Sequence, residues 1–267
     1  MAKMMPLRWQ IGSDTDIGGG KENQDECFVW ASVPDAICVL CVLDGHGRDV
    51  GKVAASAAKM SLNKYFEEHH SELKSSPYDC LVRAHEVAHL AIREQFKVEL
   101  DLQGFDTMEA PEGYLLRSKR GRGQWCCIHG GTTCSIVAMV DGYLYIANVG
   151  DSSGLLCATL PILSKIDLIA EGDAAVSSAT RNIYDSCILT DDSDAEDKLT
   201  TLVVTAEHSP ESSYEFLRLR DYRAEMDTPY LPSLNIVYDS PAHEKAKCPP
   251  VFSLGVDGLP IVNKRGW

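Results

Sequence analysis

Gly130 to Leu156 reads GGTTCSIVAMVDGYLYIANVGDSSGLL, and this stretch decides the fold. Ser135–Val140 and Tyr143–Val149 are β-prone apolar runs separated by Asp141-Gly142. Asp-Gly supplies the positive-φ residues that a two-residue hairpin turn requires. The second run ends in Gly150-Asp151-Ser152, so the hairpin carries a carboxylate at its tip. Working outward, Ile37–Leu43 (ICVLCVL) is a continuous apolar run that stops abruptly at Asp44-Gly45-His46-Gly47. A buried strand delivering a carboxylate to its end has this pattern. Asn23-Gln24-Asp25 stands in the same relation to a strand-like Cys27–Trp30.

Helical spacing follows. Val50, Val53, Ala54, Ala57, Met60 and Leu62 give residues 49–68 an apolar side, and Leu81, Ala84, Ala88 and Ala91 do the same for 78–100. A glycine-rich, basic link around 113–123 comes next, and Leu155–Leu160 and Leu202–Thr205 read as further strands. Residues 171–197 are acidic and rich in Ser, Thr and Ala, the composition of a loop or insertion. Hairpin strands beside paired helices, without regular βαβ alternation, give an α+β expectation with largely antiparallel sheets.

The 267 residues suffice to bury a core, and one domain over 1–267 is expected, or two small ones. A net charge of −14 repels nucleic acid and anionic lipid, so neither is expected as a partner. The absence of a signal peptide or a run of ~20 apolar residues gives a cytoplasmic and/or nuclear expectation. In such a compartment the ten cysteines are reduced thiols. Cys38 and Cys41 form C-x-x-C, but inside a strand their sulfurs point to opposite faces.

Hard divalent cations take oxygen ligands, and Mg²⁺ keeps several waters beside a few carboxylates. The three acidic clusters have that character, and the glycines beside Asp44 and Asp151 let a carbonyl such as that of Gly45 approach an ion. Taken singly, each Asp-Gly is only a turn. Together the stretches KENQDECFV (21–29), VLDGHGRDVG (42–51), GGTTCSIVAMVDGYLYIANVGDSSGLL (130–156) and, more loosely, VVTAEHSPES (203–212) resemble the PPM-type (type 2C) metal-dependent protein serine/threonine phosphatases, in the family's order.

The resemblance implies two antiparallel sheets in a sandwich flanked by antiparallel helices, with two or more Mg²⁺ or Mn²⁺ ions at one end. It implies hydrolysis of phosphoserine and phosphothreonine, with phosphorylated proteins as substrates. By position, Asp44 bridges two ions, the Gly45 carbonyl binds one, and Asp25 stands in the metal shell through water. His46 matches the general acid, while Thr133 and Asp151 match an additional, weaker metal position. The chemistry is coherent, because a metal lowers the pKa of its water and offsets phosphoryl charge. An imidazole can then protonate the departing alkoxide.

Several residues depart from the family pattern. Gly20 stands where an arginine often grips substrate phosphate, leaving Lys21 as the nearby cation, a poorer match than a planar fork. Gln24 replaces a common glutamate, and Ser153 replaces the arginine usual after Gly-Asp-Ser. Beyond Glu211 the late Arg-x-x-Gly-Asp-like and Asp-Asn motifs are not found, and Asp257-Gly258 reads as a turn, so the family domain is expected to be incomplete on its C-terminal side. These departures keep a second expectation open, a catalytically impaired domain that binds phosphoproteins or regulators. A third comes from His85-Glu86-Val87-Ala88-His89, the H-E-x-x-H of zinc peptidases, here without a third ligand at a recognised spacing.

Overall fold

A computed structural model describes residues 10–19, 21–47, 50–110, 115–159, 163, 199–209, 212–225 and 251–263. Gly20, the acidic stretch 171–197, and Pro210-Glu211 of the loosest matching segment lie outside the described residues. The chain divides into two compact units, Met1–Ser152 and Ser153–Trp267.

The first unit is built on a four-stranded antiparallel sheet in the order β1 (Glu26–Ser32), β2 (Ile37–Leu43), β8 (Cys134–Val140), β9 (Tyr143–Val149). Strand β2 is central, which is why ICVLCVL is apolar on both parities. Between β8 and β9 the expected tight turn is present, with Asp141 at φ 49° and Gly142 at φ 87°. Ile37, Val39, Cys41 and Leu43 of β2, with Cys134, Ile136, Ala138 and Val140 of β8, form one buried face. Cys38, of opposite parity, is buried apart from that cluster.

Two long helices cover this face, α1 (Gly51–Ser75) and α2 (Pro77–Leu102). Ala55 and Ala58 of α1 and Ala84 and Ala88 of α2 keep the layers close, and Leu62 and Phe66 fill the space between them. The Ser76 N–H donates to the Glu72 carbonyl at 2.8 Å, closing α1, and Pro77 opens α2 where a missing N–H costs nothing. Tyr65 ties the pair by donating its hydroxyl to the Cys80 carbonyl, 3.2 Å away. Sequence periodicity ends the first helix at Glu68; the backbone does leave helical geometry at His69 (φ −120°, ψ 19°), but the helix resumes to Ser75.

The basic link holds more structure than its composition suggests. β4 (Phe105–Glu109), β5 (Leu115–Lys119) and β6 (Trp125–Cys127) form a three-stranded antiparallel sheet, with Gly121 (φ 80°) and Gly123 (φ 64°) in the connection between β5 and β6. Two of its basic residues are structural: Arg117 stacks on Phe105 at 4.8 Å, and Arg120 pairs with Asp101 (2.5 Å) and Asp106 (3.2 Å).

In the second unit β10 (Leu155–Thr159) pairs with β11 (Leu199–Val203), and β12 (Phe252–Leu254) with β13 (Pro260–Val262). Helix α3 spans Ser213–Glu225, and its Phe216 ring lies 4.9 Å from Phe252. Asp257 serves the turn between β12 and β13, accepting the Leu259 N–H at 3.1 Å. The fold is therefore α+β, and every strand pairing among the described residues is antiparallel. No described helix is long and apolar enough to cross a membrane, and the eight described cysteines are free thiols.

Candidate functional site

Antiparallel order brings four chain positions to one end of the four-stranded sheet. Asp25 immediately precedes β1, Asp44 follows β2, Thr133 precedes β8 and Asp151 lies two residues beyond β9. The register pairs Glu26 with Leu43 and Cys134 with Val149, so these ends coincide. Beyond the edge two short strands continue the β2 and β8 directions, β3 (Gly45–His46) and β7 (Gly131–Thr132), which pair Gly45 with Thr132 and His46 with Gly131.

The carboxylates feel one another. Asp44 is pushed above the usual carboxylate range, first by desolvation and then by the negative charges of Asp25 and Asp151; the nearby His46 acts in the opposite direction. Asp25 and Asp44 also come within reach of a carboxyl–carboxyl hydrogen bond. Asp44 as a residue is exposed, so its desolvation is partial, and the like charges of Asp25 and Asp151 add to it. Such convergence favours a cation. Among the described residues, however, no three His, Cys, Asp or Glu side chains draw close enough to hold a metal ion by themselves. An ion here would need oxygen from the backbone and from water, which is how Mg²⁺ is ordinarily held.

Backbone packing shapes the Asp44–Gly47 loop. A Cβ on Gly45 would lie 2.3 Å from the Gln24 carbonyl oxygen and 2.8 Å from that of Gly51. Glycine is required there by space. Gly47, at φ 114°, meets Gly130, whose Cα would lie 2.3 Å from an added Cβ. The imidazole of His46 lies over Gly131, with Nε2 at 3.6 Å from where a Cβ would stand.

Around these residues run contacts that residue patterns alone did not reveal. The Asp44 N–H donates to the Thr133 hydroxyl at 3.0 Å, and that hydroxyl lies 2.7 Å from the Ser152 hydroxyl. Glu26 forms ion pairs of 2.8 Å with both Lys52 and Lys59, which hold its carboxyl down at about 2. Lys52, Ser56 and Lys59 recur at helical spacing along α1, and all three reach Glu26. That polar stripe is the signal that could have found the ion-pair cluster. Lys21 is exposed, four residues before Asp25.

His85 lies on α2, half-buried, with Nδ1 2.9 Å from the Leu81 carbonyl and Nε2 3.4 Å from the Cys134 carbonyl. Both ring nitrogens therefore face backbone carbonyls of the fold, an arrangement of helix packing rather than one open to zinc. Burial alone would depress this imidazole, but Cys134 and the two carbonyls outweigh it and raise it to about 9. Glu86 and His89 are exposed.

The family model of protein phosphatase 2C matches residues 21–160, from the approach to β1 through β10. A search of curated proteins finds no match. The matched span covers more than half of the chain and contains all three aspartates, the glycine-bound loop and the sheet whose end collects them; the chain belongs to the protein phosphatase 2C family.

Proposed function

We propose that this chain hydrolyses phosphoserine and phosphothreonine in proteins at a binuclear Mg²⁺ or Mn²⁺ centre. The observation that carries the reading is the convergence of the Asp25, Asp44 and Asp151 positions at one sheet end, with His46 on the loop that follows Asp44. Three like charges gathered there disfavour ionisation of Asp44, and a divalent cation removes that cost. The donor set is all oxygen, which suits hard cations.

Asp44, the Gly45 carbonyl, Asp25 and Asp151 would hold the ions, with water supplying the remaining oxygen ligands. When bound, the ions supply an activated water for in-line attack on phosphorus and offset charge on the phosphoryl oxygens. His46, which lies over the open Cα of Gly131, would hold a proton for the leaving seryl or threonyl oxygen. Thr133 accepts the Asp44 N–H and meets the Ser152 hydroxyl, so it would orient Asp44 beside any part it takes in an additional metal position. Lys21, next to the Gly20 position, would supply the cation for substrate phosphate. The substrates would be phosphorylated proteins, and the eight free thiols among the described residues are compatible with the cytoplasm or nucleus.

The test is hydrolysis of a phosphothreonine peptide by the purified chain with Mn²⁺ and then with EDTA. Phosphate release that needs Mn²⁺ supports the reading. A folded sample that binds Mn²⁺ without turnover would replace it with the phosphoprotein-binding alternative, and Zn²⁺-dependent proteolysis lost in His85→Ala would replace it with the peptidase.

A further inference from the structure

Gln24 occupies a position where a glutamate would add a fourth carboxylate to the site, yet its side chain is committed elsewhere. Its Nε2 donates to the Gly47 carbonyl at 3.1 Å. Its Oε1 lies only 2.2 Å from where a Cβ on Gly51 would stand, so the carboxamide fills space that glycine leaves open. The Gln24 carbonyl packs equally close to Gly45. On the far side the same loop is confined by Gly130, where an added Cβ would meet the His46 carbonyl at 3.0 Å. The His46-Gly47 backbone is thus held between the Gln24 amide on one side and Gly130 on the other.

We propose that Gln24 is a positioning residue whose carboxamide clasps the Asp44–Gly47 loop, setting the height of His46 over Gly131, rather than a neutralised member of the metal shell. The inference rests on the phosphatase reading for its catalytic consequence, and on the loop geometry alone for the clasp. An amide can donate to the Gly47 carbonyl, whereas an ionised glutamate has no hydrogen to give and would set two acceptors against each other. The two views of Gln24 therefore predict opposite outcomes for the same substitution.

Gln24→Glu and Gln24→Met are compared with the parent chain. Methionine keeps the length of the side chain and removes the donor without adding charge. The clasp predicts that both lower kcat on a phosphothreonine peptide roughly tenfold at saturating Mn²⁺, with KM changed less than about twofold. In the metal-free proteins, hydrogen exchange at the Thr133 amide, which donates to the Asp44 carbonyl, should quicken roughly tenfold in both variants, while α2 amides hold their rates. Tighter Mn²⁺ binding with undiminished kcat in Gln24→Glu would overturn the clasp in favour of a metal-shell position, and so would unchanged exchange in both variants. If the parent chain proves inactive, the exchange result decides alone: quickened exchange upholds the clasp while the phosphatase reading fails. If Gln24→Glu does not fold, Gln24→Met supplies both readouts.

Discussion

Asp44 and Thr133 are locked together by reciprocal hydrogen bonds: the Asp44 N–H donates to the Thr133 hydroxyl at 3.0 Å, and the Thr133 N–H donates to the Asp44 carbonyl at 2.9 Å. Thr133 is buried, and its hydroxyl also meets Ser152, the neighbour of Asp151. One side chain therefore links the ends of β2 and β9, on which two of the three carboxylates depend. Thr133→Val keeps the shape but leaves the Asp44 N–H without its acceptor, at a cost of about 1–3 kcal/mol. Urea denaturation should show that loss, and Mn²⁺ titration should show weaker binding; Thr133→Ser should recover most of both.

The ion-pair cluster behind Asp25 gives a pH signature. Lys52 donates to the Asp25 carbonyl at 3.1 Å while it pairs with Glu26, so the cluster anchors the start of β1 to α1. Glu26 is held at about 2, well below its unfolded value, by hydrogen bonds and charge from Lys52 and Lys59. A depressed carboxylate stabilises the fold at every pH above its unfolded pKa. That contribution declines as pH falls from ~4.5 and is gone below ~2. Both lysines are about a third exposed, so solvent screening reduces the effect to ~1–2 kcal/mol. Stability of the parent chain minus that of Glu26→Gln should hold steady from pH 7 to 5 and shrink between pH 4.5 and 2. A gap that stays constant to pH 2 would sink this account of Glu26.

His46 should matter according to the leaving group. A general acid is worth about 10²–10⁴ in rate when the departing oxygen is a poor leaving group. His46→Ala should cost that much on a phosphothreonine peptide and far less on an aryl phosphate, whose phenolate departs unaided. Equal losses on both substrates would instead assign His46 to substrate or metal binding.

Gly45 allows a sharper steric test. Alanine there would drive a methyl into the Gln24 and Gly51 carbonyl oxygens, at 2.3 and 2.8 Å. Both contacts are backbone, so no flexible side chain can yield. Gly45→Ala should abolish Mn²⁺-dependent turnover and lower stability by about 1–3 kcal/mol. Gly142→Ala, in the open hairpin turn, should leave turnover intact while straining only its own positive φ.

The elements that sequence made legible are those with a strong period or a forced turn. The β2 run and the Asp141-Gly142 hairpin were readable because burial and positive φ leave few alternatives. Both helices were readable from their apolar sides, although the bend at His69 hid the last turns of α1. The β4–β6 sheet was not, because its strands are short, largely polar or exposed, and interrupted by glycines that read as loop. At the site, the three aspartates stood out through their placement after or before strands, and Asp44 and Asp151 also through their glycine neighbours. Gln24, Lys52 and the Thr133 lock did not, since their partners lie 23, 27 and 89 residues away and no local pattern encodes such contacts.

The most direct measurement of the central claim is calorimetric titration of the metal-free chain and its Asp44→Asn variant with Mn²⁺. If the three sheet-end carboxylates form one metal-holding centre with Asp44 as its bridge, the parent chain should bind two ions and the variant should lose at least one, with affinity for the remainder down ~10-fold or more. Identical isotherms for the two proteins, or no binding by a folded parent chain, would contradict it.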